Sequence, residues 1–213
     1  MTQVGFTAIG CVWPRLVGGL FVLALTLSGA VSALAEPVPQ LVRVTGLSAG
    51  DALNVRAAPT AKSEDLGDLK NDTVVEVIAY SDDRTWARIV WQEGNGWIAA
   101  RYVSEIPRPR LDSGLPVGLI CTGDEPFWSF DLAPSGQVTF RAETGDVQAP
   151  LLWSTPSYNR GDTRYAFGND RMTGLLQRTT CNDTMSDRIS GWAVDLVLTD
   201  DPPRLLSGCC MSR

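Results

Sequence analysis

Cys121-Thr122-Gly123-Asp124-Glu125-Pro126-Phe127-Trp128 opens the second half of this 213-residue chain, which closes on Leu206-Ser207-Gly208-Cys209-Cys210-Met211. One thiol stands at the start of that half, two stand at its end, and Cys181 lies between. The stretches separating them are short apolar runs broken by Gly and Pro: 117–121, 127–132, 137–141, 151–153, 164–167, 175–180, 192–198 and 205–209. Several alternate with the two-residue period of a half-buried strand, and none carries a helical stripe. Residues 116–213 therefore read as an antiparallel β-barrel or sandwich, small enough to gain from disulfides that staple its two ends.

The N-terminus sets the compartment. The first 35 residues hold no acid and one base, Arg15; 16–27 is almost wholly apolar, and Ala33-Leu34-Ala35 follows. A basic start, an apolar stretch and an A-x-A site make a signal peptide, with cleavage between Ala35 and Glu36. An uncleaved N-terminal anchor is the alternative. Cleavage removes Arg15 and Cys11, so the charge becomes 17 − 24 = −7 and four cysteines remain. An even count in an exported chain points to disulfides and to a periplasmic or secreted protein. The acidic balance, without a basic cluster, argues against a nucleic-acid partner, and no membrane contact is expected once the signal is gone. The chain has no His, which excludes Ser-His-Asp and Cys-His nucleophile systems and the commonest zinc ligand.

Ahead of the thiols, residues 41–105 carry five or six short strands. Leu41–Thr45 alternates, as does Leu53–Arg56; 73–80 is rich in β-branched residues; Trp86–Trp91 alternates again; a turn at Glu93-Gly94-Asn95-Gly96 leads into Trp97-Ile98-Ala99. That spacing suits a small barrel. Leu53-Asn54-Val55-Arg56-Ala57-Ala58-Pro59, Gly67-x-Leu69, Val74-Val75-Glu76-Val77, Trp86-Ala87-Arg88-Ile89, Gly96-Trp97-Ile98 and Tyr102-Val103 together resemble the bacterial SH3 (SH3b) family. The resemblance implies a non-catalytic β-barrel used for targeting or ligand binding, often to peptidoglycan or its stem peptides and sometimes to proteins. Leu53 and Val55 share the core face of their strand; Asn54 and Arg56 point the other way. Trp86 and Trp97 are read as barrel filling, which leaves Trp91 and Tyr102 as candidates for a ligand surface.

The domain limits follow. An SH3b-like domain occupies 36–105, a Pro-rich linker 106–115, and the C-terminal domain the remainder. Pro107 and Pro109 favour an extended spacer, and Arg108 and Arg110 within it read as solvated charges. In the C-terminal domain, Cys121-x-Gly123-x-Glu125-Pro126-Phe127-Trp128, Cys181-Asn182-Asp183-x-Met185-Ser186-Asp187 and Leu206-Ser207-Gly208-Cys209 resemble an uncharacterised exported bacterial family, which implies no activity.

Neighbours in a strand face opposite ways, so Cys209 and Cys210 take different partners, one Cys121 and the other Cys181. Four cysteines allow three pairings. Cys181–Cys209 with Cys121–Cys210 is favoured, and the sequence does not decide. A redox-active thiol and a four-thiolate metal site are the alternatives; the second fits poorly without a C-x-x-C pair. Asp124 and Glu125 beside Trp128 make the best site candidate, acids against an aromatic that suit a sugar or a raised-pKa acid; a plain turn with Trp128 packed inside is the competing reading. Asn182, Asp183, Ser186 and Asp187 lack EF-hand spacing, so no metal or cofactor is expected. The function expected is non-catalytic binding in the cell envelope, to wall glycan or peptide or to an envelope protein. The alternative is a carboxylate-based hydrolase using Glu125, or an accessory or inhibitor of one.

Overall fold

Alternating strands must bury one face, and here they do so in two antiparallel sheets, each with its own apolar core. A computed structural model describes residues 38–143, 145–182 and 185–213; these lie in one compact unit, whereas the expected signal segment and its expected cleavage between Ala35 and Glu36 fall outside the described residues. The first sheet contains β1 (Gln40–Val44), β2 (Leu53–Arg56), β3 (Asp65–Leu69), β4 (Val74–Tyr80), β5 (Trp86–Trp91), β6 (Gly94–Ala99) and β7 (Val103–Ile106), in the order β3-β2-β6-β5-β4-β1-β7. A single 3-10 turn, Ala100–Tyr102, joins β6 to β7. Val42, Val44, Leu53, Val55, Val77, Ile89 and Ile98 fill its interior.

The second sheet contains β8 (Leu119–Gly123), β9 (Trp128–Leu132), β10 (Gln137–Ala142), β11 (Gly145–Pro150), β12 (Trp153–Pro156), β13 (Arg164–Asn169), β14 (Met172–Asn182), β15 (Ile189–Leu198) and β16 (Arg204–Ser212). Their order is β11-β10-β9-β8-β16-β15-β14-β13-β12, so the edge strands, β11 and β12, are consecutive in the chain. Laid flat, nine strands would hold those edges ~38 Å apart, yet only Leu151-Leu152 joins them, a reach of at most ~11 Å. The sheet must therefore curl into a half-barrel. Leu151 N–H donates to Gly136 O and Leu152 N–H to Gly168 O, tying the joint to both walls. Across the interior Phe130 of β9 stacks on Phe167 of β13 at 5.5 Å, a contact worth about 0.5–1.5 kcal/mol beyond its burial. Gly174 makes room for it, because a Cβ there would stand 2.1 Å from Phe167 Cζ.

Two disulfides close β16 onto its surroundings from opposite faces. Cys121–Cys210 joins directly paired residues of β8 and β16 inside the core. Cys181–Cys209 lies half-buried on the other face.

The two sheets are joined through a buried carboxylate. Glu76, on the outward face of β4, accepts from the Arg108 guanidinium, from Trp192 Nε1–H at 3.0 Å and from the Ser212 N–H at 3.0 Å. Arg108 Nη1 also donates to Ser212 Oγ at 2.8 Å, and its guanidinium lies 5.4 Å from the centroid of the Trp192 ring. The Arg108 and Glu76 side chains are each 3% exposed. Beside them Asn95 of β6 behaves as an extra strand residue: its amide accepts from Ile189 N–H and donates to Ile189 O, both at 2.9 Å. Pro39 packs over Gly191, where a Cβ would come within 2.5 Å of it.

This node corrects the expectation for Arg108, which is a buried ion-pair partner and no solvated linker charge. Burial pushes its guanidinium below the ordinary value while Glu76 acts in the opposite direction; an arginine stays charged throughout. Arg110 is exposed but engaged, donating to Gly114 O at 2.9 Å and to Tyr165 OH at 3.1 Å. Leu115, a few residues on, is fully buried in the second core. Three smaller corrections concern local geometry. The β5–β6 turn consists of Gln92 and Glu93, so Asn95 sits within a strand. Leu151 and Leu152 form the joint between edges, and the strand begins at Trp153. Trp97 points out of the barrel opposite Ile98, half-buried and paired across the sheet with Arg88 and Arg56.

Candidate functional site

The L-N-V-R strand builds the wall of a groove in the first module. Leu53 and Val55 go inward; Asn54 and Arg56 face the other way and converge on Asp65 of β3. Asn54 Nδ2 donates to Asp65 Oδ2 at 2.7 Å, and Arg56 Nη1 lies 3.5 Å from the same oxygen while donating to Ser63 O at 3.2 Å. Opposite this wall stand Trp86 and Tyr102, both half-buried, each packing part of its ring against the barrel core and leaving the remainder in the groove. Arg101 is exposed and lies 4.6 Å from the Tyr102 ring centroid. The resulting groove holds about 230 Å³, with Asp51 and Leu47 at its rim. It thus offers the exposed Arg101 guanidinium, one carboxylate and two aromatic faces to a ligand, with Arg56 in its wall paired to Asp65. Aromatics supply apolar area and a π-face, and guanidinium groups suit carboxylates.

The sequence candidates do not meet in one place. Tyr102 lines this groove. Trp91 does not: it sits beside the β5–β6 turn, packs on Gly67, where a Cβ would come within 2.7 Å of its ring, and donates from Nε1 to Leu66 O at 3.3 Å. Trp86, read from the sequence as filling, lines the groove as well as the core. The signal that could have found it is its parity, opposite to that of the inward Ala87 and Ile89, at the start of a strand where its partner, Ala99, leads into the 3-10 turn carrying Arg101 and Tyr102.

In the second module Trp128 is 5% exposed and packs inward, stacked on Phe140 at 6.1 Å. Gly123 and Gly208 clear the space for it, since Cβ atoms there would stand 2.3 and 2.7 Å from its ring. Trp128 accordingly presents no ring to a ligand, and the Gly123, Trp128 and Gly208 of the sequence motifs form one packed cluster. Glu125 is exposed in the β8–β9 turn with φ of 51°, next to Phe127, which is 58% exposed. Asp124 is half-buried and lines a separate groove of about 370 Å³ with Asp195, Ser207 and the Cys181–Cys209 disulfide; Glu125 does not line it. Ser207 Oγ donates to Asp195 Oδ1 at 2.6 Å. Among the described residues no group of His, Cys, Asp and Glu is placed to hold a metal ion; Asp183 of the expected polar loop lies outside them. No helix among the described residues is long and apolar enough to cross a membrane, and the two disulfides fit an oxidising compartment.

No curated protein matches the chain. The family model of the bacterial SH3 domain matches residues 51–104, which include all of β2 to β6 and the aromatic wall of the first groove. Over that stretch the chain is similar to the bacterial SH3 domain, a family of cell-wall and protein binding modules.

Proposed function

We propose that the protein is a non-catalytic binding protein of the bacterial cell envelope, exported by its N-terminal segment, with a signal peptide over 1–35, an SH3b-like module over 36–105 and a second module from residue 116. The groove between Asn54, Arg56, Trp86, Arg101 and Tyr102 takes the peptide of the cell wall. The second module contributes another surface, centred on the groove beside Asp124 and Asp195.

One observation carries this reading. The barrel docks to the second sheet through Glu76, Asn95 and Pro39, and none of these lines the groove. Docking therefore leaves the groove open. The exposed Arg101 cation and the Asp51 carboxylate complement a short peptide bearing both a carboxylate and an amine. The rival hydrolase reading would place Glu125 at work on an exposed turn outside the Asp124 groove.

The test is sedimentation with purified peptidoglycan. The protein should be retained above a denatured control, and Tyr102→Ala with Arg101→Ala should reduce retention by about tenfold. Absence of retention, or retention indifferent to both substitutions, refutes the groove as the wall site.

A further inference from the structure

A cavity of about 500 Å³ has at its mouth Gly145 and Asp146 of β11, Arg171 ahead of β14, Thr199 and Asp200 after β15, and Arg204 of β16. Four apolar side chains form its floor. Phe140 and Val147 come from β10 and β11, Met172 and Leu198 from β14 and β15. Phe140, Met172 and Leu198 are otherwise core residues, 4%, 2% and 5% exposed, and what surface they retain faces this mouth.

The rim is charged but nearly neutralised. Arg204 is paired with Asp200, with Nε donating to Oδ2 at 2.9 Å. Asp146 is paired with Arg141 at 3.6 Å. Arg171 is the rim cation left without an ion pair among the described residues. Its backbone is held firmly. Asn169 Oδ1 accepts from Arg171 N–H at 2.9 Å and from Met172 N–H at 3.2 Å, and Arg171 O accepts from Thr199 N–H at 2.9 Å. The turn thus places one guanidinium at a cavity with a partly apolar lining, within the size range of ligand cavities.

We propose that this mouth binds an amphipathic monocarboxylate, an unbranched aliphatic chain lying between Phe140 and Met172 with its carboxylate on Arg171. The site shares no residue with either groove described above, so it stands or falls apart from wall binding. Each methylene that enters should strengthen binding about three- to fourfold until the cavity is full. A charge-assisted contact from Arg171 should contribute about tenfold or more.

Isothermal titration of the purified, disulfide-intact protein with hexanoate, octanoate and decanoate tests this, with decanol and decyltrimethylammonium as neutral and cationic counterparts. The expected result is saturable binding that tightens along the carboxylate series, is at least about tenfold weaker for decanol and is absent for the cation. Arg171→Gln, at an exposed position, should weaken decanoate about tenfold. Arg43→Gln, which removes the same charge from the first module, should leave it unchanged. No saturable binding of decanoate, decanol binding as tightly as decanoate, or an Arg171→Gln loss below about threefold overturns the proposal.

Discussion

Replacing Glu76 by Ala probes the contact on which the two-module architecture rests. The carboxylate faces three donors, the Arg108 guanidinium, Trp192 Nε1–H and Ser212 N–H, and both charged side chains are almost fully buried. Removing it strands the Arg108 cation in the interior, which typically costs about 3–5 kcal/mol. That is a large part of the ~5–15 kcal/mol that holds a domain of this class together. With a urea m-value of about 2 kcal/mol per molar, the midpoint should fall by roughly 2 M. Glu76→Gln is isosteric but offers one acceptor and two donor hydrogens where three donors converge, so donor must meet donor; a loss of about 1–3 kcal/mol is expected. Replacing both partners, Glu76→Leu with Arg108→Met, removes the stranded charge but leaves Trp192 Nε1–H and the Ser212 N–H without their acceptor, so it should recover only part of the loss. The assay is urea unfolding followed by tryptophan fluorescence with the disulfides intact. A Glu76→Ala cost below about 1 kcal/mol, or a double variant less stable than either single one, would refute the reasoning.

Three further outcomes follow from named contacts. Gly208→Ala places a Cβ 2.2 Å from Thr122 O and 2.7 Å from the Trp128 ring; it should cost about 1–3 kcal/mol, whereas Gly94→Ala, which meets nothing within 4 Å, should stay within about 0.5 kcal/mol of the parent by the same urea assay. Loops of 28 and 89 residues give the Cys181–Cys209 and Cys121–Cys210 bridges about 3–4 and 4–5 kcal/mol of unfolded-state restriction; the half-buried pair should nonetheless reduce first under mild dithiothreitol, with mass spectrometry finding alkylation at Cys181 and Cys209 before Cys121 and Cys210. Asp83 accepts from Ser81 Oγ and from the Thr85 N–H and hydroxyl, which hold its carboxyl below the usual range. A lowered folded pKa means the contribution is present above the ordinary carboxylate value of about 4 and is lost as pH falls through the folded value. The Thr85 amide resonance should therefore move only below about pH 4, and a midpoint at or above that value would contradict the contact.

Much of the fold was legible because strand alternation is local. Leu53/Val55 against Asn54/Arg56 and the runs through β5, β15 and β16 declared their inward faces directly. The four cysteines downstream of the expected signal segment pointed to bridges, and the opposite faces of Cys209 and Cys210 bear on their partners. What escaped was non-local. Nothing around Arg108 announces that Glu76, 32 residues upstream, and Trp192, far downstream, will close over it, so two prolines and a charge read as a solvated spacer. Strand β11, Gly145–Pro150, has no β-branched run and no strict alternation; it exists because its neighbour β10 supplies a ladder. Trp97 and Trp128 show the limit of composition. Aromatic identity says that a ring will find cover, while strand parity and neighbouring glycines decide on which face. The groove itself was half visible, with Tyr102 marked and Trp86 assigned to the interior.

The most direct test of the central claim, that the first-module groove receives the cell-wall peptide, is to map amide and indole shifts by NMR on titrating soluble disaccharide-peptide fragments of peptidoglycan. Saturating shifts should cluster at Asn54, Arg56, Trp86, Arg101 and Tyr102. Silence at those residues at millimolar fragment, or shifts confined to the second sheet, would contradict it.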